Sequence, residues 1–99
     1  MGLRHVVMFR FVEGTTAAQR QAISTALGAL PAAIPEIAAY SFGEDAGINE
    51  GAWDYAVVAD FASKEGYLVY RDHPVHRAAI DEHIAPVVAV RAAVQLVTV

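Results

Sequence analysis

Alternating or continuous runs of apolar residues predict four β-strands along the chain. The first strand has a period of two, which places His5, Val7 and Phe9 on one face. The third strand has the same period and places Tyr55 and Val57 together. The predicted strands cover residues 3–11, 36–44, 53–61 and 90–99.

Two helical regions lie between these strands. Thr15 or Thr16 can cap the first helix, which extends to about Leu30. The second region begins near Ser63 and is interrupted just before Pro74, a residue that suits the first turn of a new helix. The order β-α-β-β-α-β predicts a ferredoxin-like plait, an α+β fold with helices on one face of its sheet. Residues 1–99 are expected to form a single domain.

Both faces of the predicted sheet are apolar, although two helices can cover only one of them. Apolar residues make up 56% of the sequence, above the usual share of about 45–50%. A large exposed apolar patch usually marks an interface. We therefore expect a homodimer that buries the face carrying Val7, Phe9 and Val57.

Charge and composition narrow the possible partners. The formal net charge is −4 and the arginines are scattered, so the sequence has no basic patch for nucleic acid. It has no cysteine, which excludes disulfides and zinc–thiolate sites. No apolar run reaches the roughly 18 residues of a membrane span, and no leader segment is visible. We expect a cytoplasmic protein without a nucleic-acid or membrane partner.

The histidines are the first candidates for chemistry. His5 lies in mid-strand, where a histidine is more often structural than catalytic. His73 precedes Pro74 and is a candidate helix cap. His73 and His76 are three residues apart, a spacing found in helical metal sites, but the pattern offers no convincing third ligand. We predict neither a metal site nor a cofactor.

Tyr70 and His76 flank the break between the two helical pieces, so that both can turn toward one spot. A histidine can take a proton near neutral pH, and a tyrosine hydroxyl can hydrogen-bond a developing oxyanion. The alternative is that Tyr70 only packs and its hydroxyl reaches water. We predict that His5, Tyr70 and His76 converge on one cavity between the helical break and the sheet. The ligand-binding residues expected around them are Val7, Phe9, Tyr55 and His73.

Three segments of the chain resemble the stress-responsive A/B-barrel (Dabb) family. They are residues 5–11, residues 53–61 and residues 70–76, of which the last, YRDHPVH, is the most specific. The resemblance implies a homodimer in which two sheets face each other and close an α/β barrel. Members of the family include plant stress proteins and a polyketide cyclase that closes a ring by an intramolecular aldol condensation.

The cyclase pattern implies roles for three residues of this chain. Its base-and-hydroxyl pair would fall on His76 and Tyr70, and its strand-one histidine on His5. Tyr55 stands where that pattern has a pocket histidine, which implies a pocket of different shape and polarity.

Three functions are compatible with these patterns. The first is a homodimer whose pocket binds a small, partly apolar molecule without a committed reaction. The second is a cofactor-independent enzyme: a cyclase, an isomerase or a monooxygenase. The third is a structural stress protein in which the pocket is only packing. An open cavity of roughly 300 Å³ or more would favour ligand binding over the third function.

Overall fold

The computed structural model describes residues 1–99 and places nine elements along the chain. None of its helices has the length and apolar character required to cross a membrane. The strands are β1 (Gly2–Phe11), β2 (Ile37–Glu44), β3 (Tyr55–Phe61) and β4 (Val88–Thr98). The α-helices are α1 (Ala17–Gly28), α2 (Leu30–Ala33), α3 (Lys64–Asp72) and α4 (Pro74–Ala79), and a π-helical turn (Ile80–Ile84) follows α4.

The four strands form one antiparallel sheet in the order β2-β3-β1-β4. β1 and β3 are the central strands, and Val7 of β1 lies opposite Val57 on β3 and Ala93 on β4. The element order and the sheet are those of a ferredoxin-like α+β fold, as the sequence pattern predicts.

Thr16 is the residue that begins α1. Its side chain accepts a hydrogen bond from the backbone N–H of Gln19, and the Gln19 side chain accepts one from the backbone N–H of Thr16. This reciprocal cap satisfies two N–H groups that the helix cannot pair internally, and such caps typically contribute about 1 kcal/mol. The helix buries Ile23 and Leu27 on the side that faces the sheet.

The break between α3 and α4 has a local cause in the sequence. Steric conflict with a proline ring disfavours helical geometry in the residue before it, and His73 has extended backbone angles, φ −62° and ψ 133°. The His73 side chain then caps α4, because its Nδ1 accepts the backbone N–H of Val75 at 3.1 Å. The chain changes direction here, which brings the end of α3 and the start of α4 over the same part of the sheet.

The helices cover the sheet face that carries Val7, Phe9 and Val57, each of which is at most 5% exposed within the single chain. The expectation that a second copy buries this face is therefore wrong. Alternation assigns the side chains of a strand to two faces, and here both faces are apolar. The pattern therefore does not reveal which face the helices will cover. The opposite face remains uncovered.

The uncovered face, called here the bare face, is apolar at its centre. Val6 lies opposite Val58 on one side and Val94 on the other. Met8, Val94 and Leu96 are 37%, 56% and 42% exposed. The bare face is defined by Val6, Met8, Val58, Val94 and Leu96.

Candidate functional site

A cavity of about 460 Å³ lies between the helices and the covered face of the sheet. Val7, Phe9 and Val57 of the two central strands form its floor. Residues of α3, α4, the π-helical turn and β4 form its walls, and most of the lining is apolar. A few polar side chains reach into this apolar space, and these determine its chemistry.

His5 lies on β1 beside the floor of the cavity and is 5% exposed. Its Nδ1 is 2.6 Å from the side-chain oxygen of Gln95 on β4. An amide oxygen only accepts hydrogen bonds, so Nδ1 carries the proton and Nε2 is the basic nitrogen. Burial lowers the pKa of His5, the bond to Gln95 opposes this, and the positive charge of Arg91 lowers the pKa further. The imidazole is therefore mainly neutral at pH 7.

His76 lies on α4 and has a comparable environment. Its Nδ1 donates a hydrogen bond to the backbone carbonyl of Arg71, at 3.1 Å, which again leaves Nε2 as the basic nitrogen. Burial lowers the pKa of His76, the bond to the Arg71 carbonyl opposes this, and the charges of Arg77 and His5 lower the pKa further. The carbonyl belongs to the last turn of α3, so the helical break itself fixes this tautomer.

Tyr70 stacks on His76, with 4.0 Å between the ring centroids and 28° between the ring planes. Its hydroxyl is 2.9 Å from the hydroxyl of Tyr40 on β2. Burial raises the pKa of Tyr70, so the hydroxyl keeps its proton at neutral pH. When Tyr40 donates into this bond, the Tyr70 proton is left for another acceptor.

The family model of the stress responsive A/B barrel domain matches residues 3–97. The chain belongs to the stress-responsive A/B-barrel (Dabb) family. This confirms the family to which the three sequence segments pointed. No curated protein matches the sequence.

Solved structures share the fold of this Dabb domain over nearly its whole length. A dimeric ferredoxin-like protein of unknown function from Thermobifida fusca YX is 48% identical, with a TM-score of 0.92, and the match covers 99% of this chain and 92% of that one. A dimeric protein of unknown function from Bacteroides fragilis NCTC 9343 is 25% identical, with a TM-score of 0.84 and coverages of 98% and 96%. The hydroxynitrile lyase of Passiflora edulis is 20% identical, with a TM-score of 0.84 and coverages of 98% and 93%, and it shares the fold alone.

The Dabb cavity brings together most of the residues singled out in the sequence. His5, Tyr70 and His76 all line it, and Val7 and Phe9 form part of its floor. The three polar side chains therefore meet at one place, as predicted. Their roles in binding or catalysis remain predictions.

Two predicted ligand-binding residues lie elsewhere, and these assignments are corrected. Tyr55 is 1% exposed, packs against Phe9 and Phe11, and shares a hydrogen bond of 2.8 Å with the Ser24 hydroxyl of α1. It lies at the start of β3, so its ring is buried under α1 outside the cavity. His73 caps α4 and does not line the cavity, because its ring bonds the backbone at Val75.

The cavity also contains residues that the sequence reasoning missed. Tyr67 lies one helical turn before Tyr70, and its ring is 5.1 Å from that of His5. Helical spacing from Tyr70 could have identified it. Arg77 and Arg91 also line the cavity, but they are far apart in the sequence and only the fold brings them to one site.

The π-helical turn is a second feature that the pattern did not predict. The backbone N–H of Ala85 donates to the carbonyl of Ile80 at 2.8 Å, five residues back rather than four. Ile80, Ile84 and Ala85 line the cavity. Such single-turn insertions often occur at functional sites. No group of three or more His, Cys, Asp or Glu side chains in the chain is arranged to hold a metal ion.

Proposed function

We propose that this Dabb domain works as a homodimer in which each subunit binds a small, partly apolar molecule in its cavity. The observation that carries the proposal is the cavity itself. Its volume of about 460 Å³ is within the range of about 300–1,000 Å³ that small-molecule sites occupy. Its apolar lining with a few convergent polar groups is also typical of such sites. An open cavity of this size counts against a purely structural role.

The bare face supports the homodimer. It combines exposed apolar side chains from neighbouring strands, which water contacts unless a partner covers them. The Thermobifida fusca and Bacteroides fragilis structures are both described as dimeric. Packing two bare faces together would close the sheets into the α/β barrel that the family implies. A cytoplasmic location and a role in the stress response stay predictions.

Native mass spectrometry of protein purified under non-denaturing conditions from its source tests the binding function. We expect a species heavier than the apo homodimer. Ala85→Trp is the matched control, because Ala85 is exposed at the rim and a large side chain there would obstruct the opening of the cavity. The extra mass should disappear in this variant while the dimer persists. Detection of the apo dimer alone in both proteins would contradict the proposal.

A second candidate function is cofactor-independent acid–base catalysis, and the tautomers of the two histidines favour it. Nδ1 of both His5 and His76 is hydrogen-bonded, so each neutral ring presents Nε2 as its base. Nε2 of His76 would take a proton from a carbon next to a carbonyl. The electron pair of that C–H bond would form a C=C double bond as the π electrons of the C=O bond move onto the oxygen. Tyr70 would donate a hydrogen bond to the resulting enolate oxygen, and Tyr40 would donate to Tyr70.

The catalytic candidate has its own test. His76→Ala and Tyr70→Phe should keep ligand affinity within a few-fold and abolish turnover, since a positioned general base typically supplies about 10²–10⁴-fold in rate. If no turnover is ever detected in the parent protein and the variants lose binding instead, the site is a binding site only.

A further inference from the structure

The arginines of the chain divide into two groups. Four of the six have a side-chain partner: Arg4 pairs with Asp60, Arg20 with Glu44, Arg71 with Asp72, and Arg10 lies over the Trp53 ring. Arg77 and Arg91 have no ion pair and no side-chain hydrogen bond within the chain. Both line the cavity.

The two unpaired arginines approach the cavity from different elements. Arg77 follows His76 on α4, and Arg91 lies on β4 opposite Phe9, which places it on the covered face of the sheet. Both residues are exposed although they line the cavity, so they lie at its mouth. The mouth therefore combines access to solvent with two cationic side chains.

No aspartate or glutamate lines the cavity, although the chain as a whole carries a net charge of −4. The third lining arginine, Arg71, is held by both carboxylate oxygens of Asp72 at 2.9 and 3.0 Å. Arg77 and Arg91 thus carry positive charge beside an apolar space without an ion pair, and only Arg77 has a nearby carboxylate, Asp72, whose pKa it lowers. A cleft with one sign of charge and walls of low polarity concentrates ligands of the opposite charge.

The positive charge already acts on the groups inside the cavity. Arg91 lowers the pKa of both His5 and Tyr70, and Arg77 lowers the pKa of His76. Because both arginines line the cavity, their charges would act in the same way on whatever occupies it. An anion bound between them would cancel part of their effect.

We infer that Arg77 and Arg91 bind the carboxylate of a small carboxylic acid whose aromatic or aliphatic body lies in the cavity. This inference rests on the proposed ligand-binding function and specifies its ligand class. A guanidinium group presents a planar fork of N–H donors that matches the two oxygens of a carboxylate. The rings of Tyr67, Tyr70 and Phe9 supply surfaces for the apolar body.

A carboxylate fits the site better than a phosphate ester. Most of the surface of the bound molecule is buried in an apolar cavity and loses its contact with water. A carboxylate, with a single delocalised charge, is easier to desolvate than a phosphate dianion. Two unpaired guanidinium groups, with no lysine among the lining residues, provide enough donors for one carboxylate.

Isothermal titration calorimetry with 4-phenylbutyrate and its uncharged analogue 4-phenylbutyramide tests the inference. The two probes have the same shape and differ in charge. We expect the carboxylate to bind the wild-type protein at least about tenfold more tightly than the amide, with an affinity that falls as salt is added. Arg77→Gln and Arg91→Gln should each remove most of this preference and leave the affinity for the amide unchanged.

Lys64→Gln is the charge-matched control, because Lys64 is exposed at the start of α3 and does not line the cavity. It should leave the preference for the carboxylate intact. Equal binding of the two probes to the wild-type protein would overturn the carboxylate inference but leave the binding function standing. Binding of neither probe would count against both. Tighter binding of phenyl phosphate than of phenylbutyrate would replace the carboxylate with a phosphate ligand.

NMR titration of the histidines provides an independent readout. Binding of 4-phenylbutyrate should raise the pKa of His5 and His76, because the carboxylate offsets the charges of Arg91 and Arg77. The amide should leave both pKa values where they are. If 4-phenylbutyrate binds without changing the pKa of His5 or of His76, its carboxylate lies elsewhere on the protein. That result would overturn the inference.

Discussion

At the scale of single residues, His5 and His76 have similar environments. Each is buried, and each has its Nδ1 proton held by an oxygen of the protein: the side chain of Gln95 for His5 and the backbone of Arg71 for His76. Burial disfavours the charged imidazolium, and the neighbouring arginines add to this effect. The protein thus maintains two neutral bases in one cavity.

This arrangement predicts that stability falls as the solution becomes acidic. The folded-state pKa of both histidines is lowered, whereas in the unfolded chain it is about 6.5. As the pH falls, the unfolded state therefore binds protons before the folded state does. The contribution of the two histidines to the free energy of unfolding is fully present above about pH 7 and is lost as the pH falls through about 6.5 toward the folded pKa values.

Urea unfolding at a series of pH values measures the effect. The charged and titratable groups near His5 are Tyr67, Tyr70, His76 and Arg91. Those near His76 are His5, Tyr70, Asp72 and Arg77. His5→Gln should flatten the pH dependence between about pH 7.5 and 5.5, because one of the two titrating groups is gone. The same slope in the variant and in the wild-type protein would exclude a contribution from His5.

The hydroxyl pair of Tyr40 and Tyr70 gives a second prediction for single residues. Tyr40→Phe leaves the buried Tyr70 hydroxyl without its partner, and an unpaired buried polar group costs about 1–3 kcal/mol. Tyr67→Phe is the control, because the Tyr67 hydroxyl makes no hydrogen bond within the chain. Chemical denaturation should show a loss for Tyr40→Phe and almost none for Tyr67→Phe. Equal losses would mean that the hydroxyl pair does not stabilise the fold.

At the scale of elements, the break between α3 and α4 positions the site. Tyr70 lies near the end of one helix and His76 near the start of the next, and their rings stack because the chain turns between them. The turn depends on Pro74 and on the capping side chain of His73. A continuous helix through this segment would lose the free carbonyl of Arg71 that holds the His76 ring.

His73→Ala removes this cap, and we expect it to lower the free energy of unfolding by about 0.5–2 kcal/mol. His73→Asn should restore most of the loss, because asparagine is among the best capping residues. His83→Ala is the control, since His83 makes only one weak contact, at 3.4 Å, with its exposed neighbour Glu82. A loss with His83→Ala as large as that with His73→Ala would show that the cap is not responsible.

The sequence predicted the strands and the helical break better than it predicted the contacts between them. The bounds of β1 and the break before Pro74 follow from local rules, the alternation of side chains and the restriction that proline imposes on the residue before it. The meeting of Tyr70 and His76 follows from that break. These features depend on neighbours in the sequence and can be derived from it.

The features that could not be predicted depend on residues distant in the sequence. The face covered by the helices was assigned wrongly, because β1 is apolar on both sides. By alternation, Tyr55 lies on the same face of β3 as Val57, which lines the cavity. It is nevertheless covered by α1, and only the fold reveals this. Arg77 and Arg91 line one cavity only because the fold packs α4 over the face of β4 that lies beside β1. The π-helical turn has no known signature in the residues 80–84 that form it.

At the scale of the whole molecule, the proposed homodimer would close through the bare face. Val94 is 56% exposed in the single chain, so Val94→Glu should leave the fold of each chain intact. In a homodimer closed through this face, the added carboxylate would be buried without a partner, which is strongly unfavourable. We expect light scattering after size exclusion to give the mass of two chains for the wild-type protein and of one chain for Val94→Glu.

Val69→Glu is the matched control, because Val69 is 45% exposed on α3 and lies outside the sheet. This variant should remain dimeric. A Val94→Glu protein that is still a dimer, or a wild-type protein that is a folded monomer at micromolar concentration, would contradict assembly through the bare face.

The strand order has a consequence for how the chain reaches this structure. β1 occupies the centre of the sheet, yet one of its two neighbours is β4, so that Gly2 lies opposite Thr98. Closing so long a loop has an entropic cost, and folds dominated by such pairings form slowly. During synthesis, β1 emerges long before β4 and has one unpaired edge until β4 is made. The strand that carries His5 therefore waits longest for its full set of neighbours and is open to wrong pairing during that time.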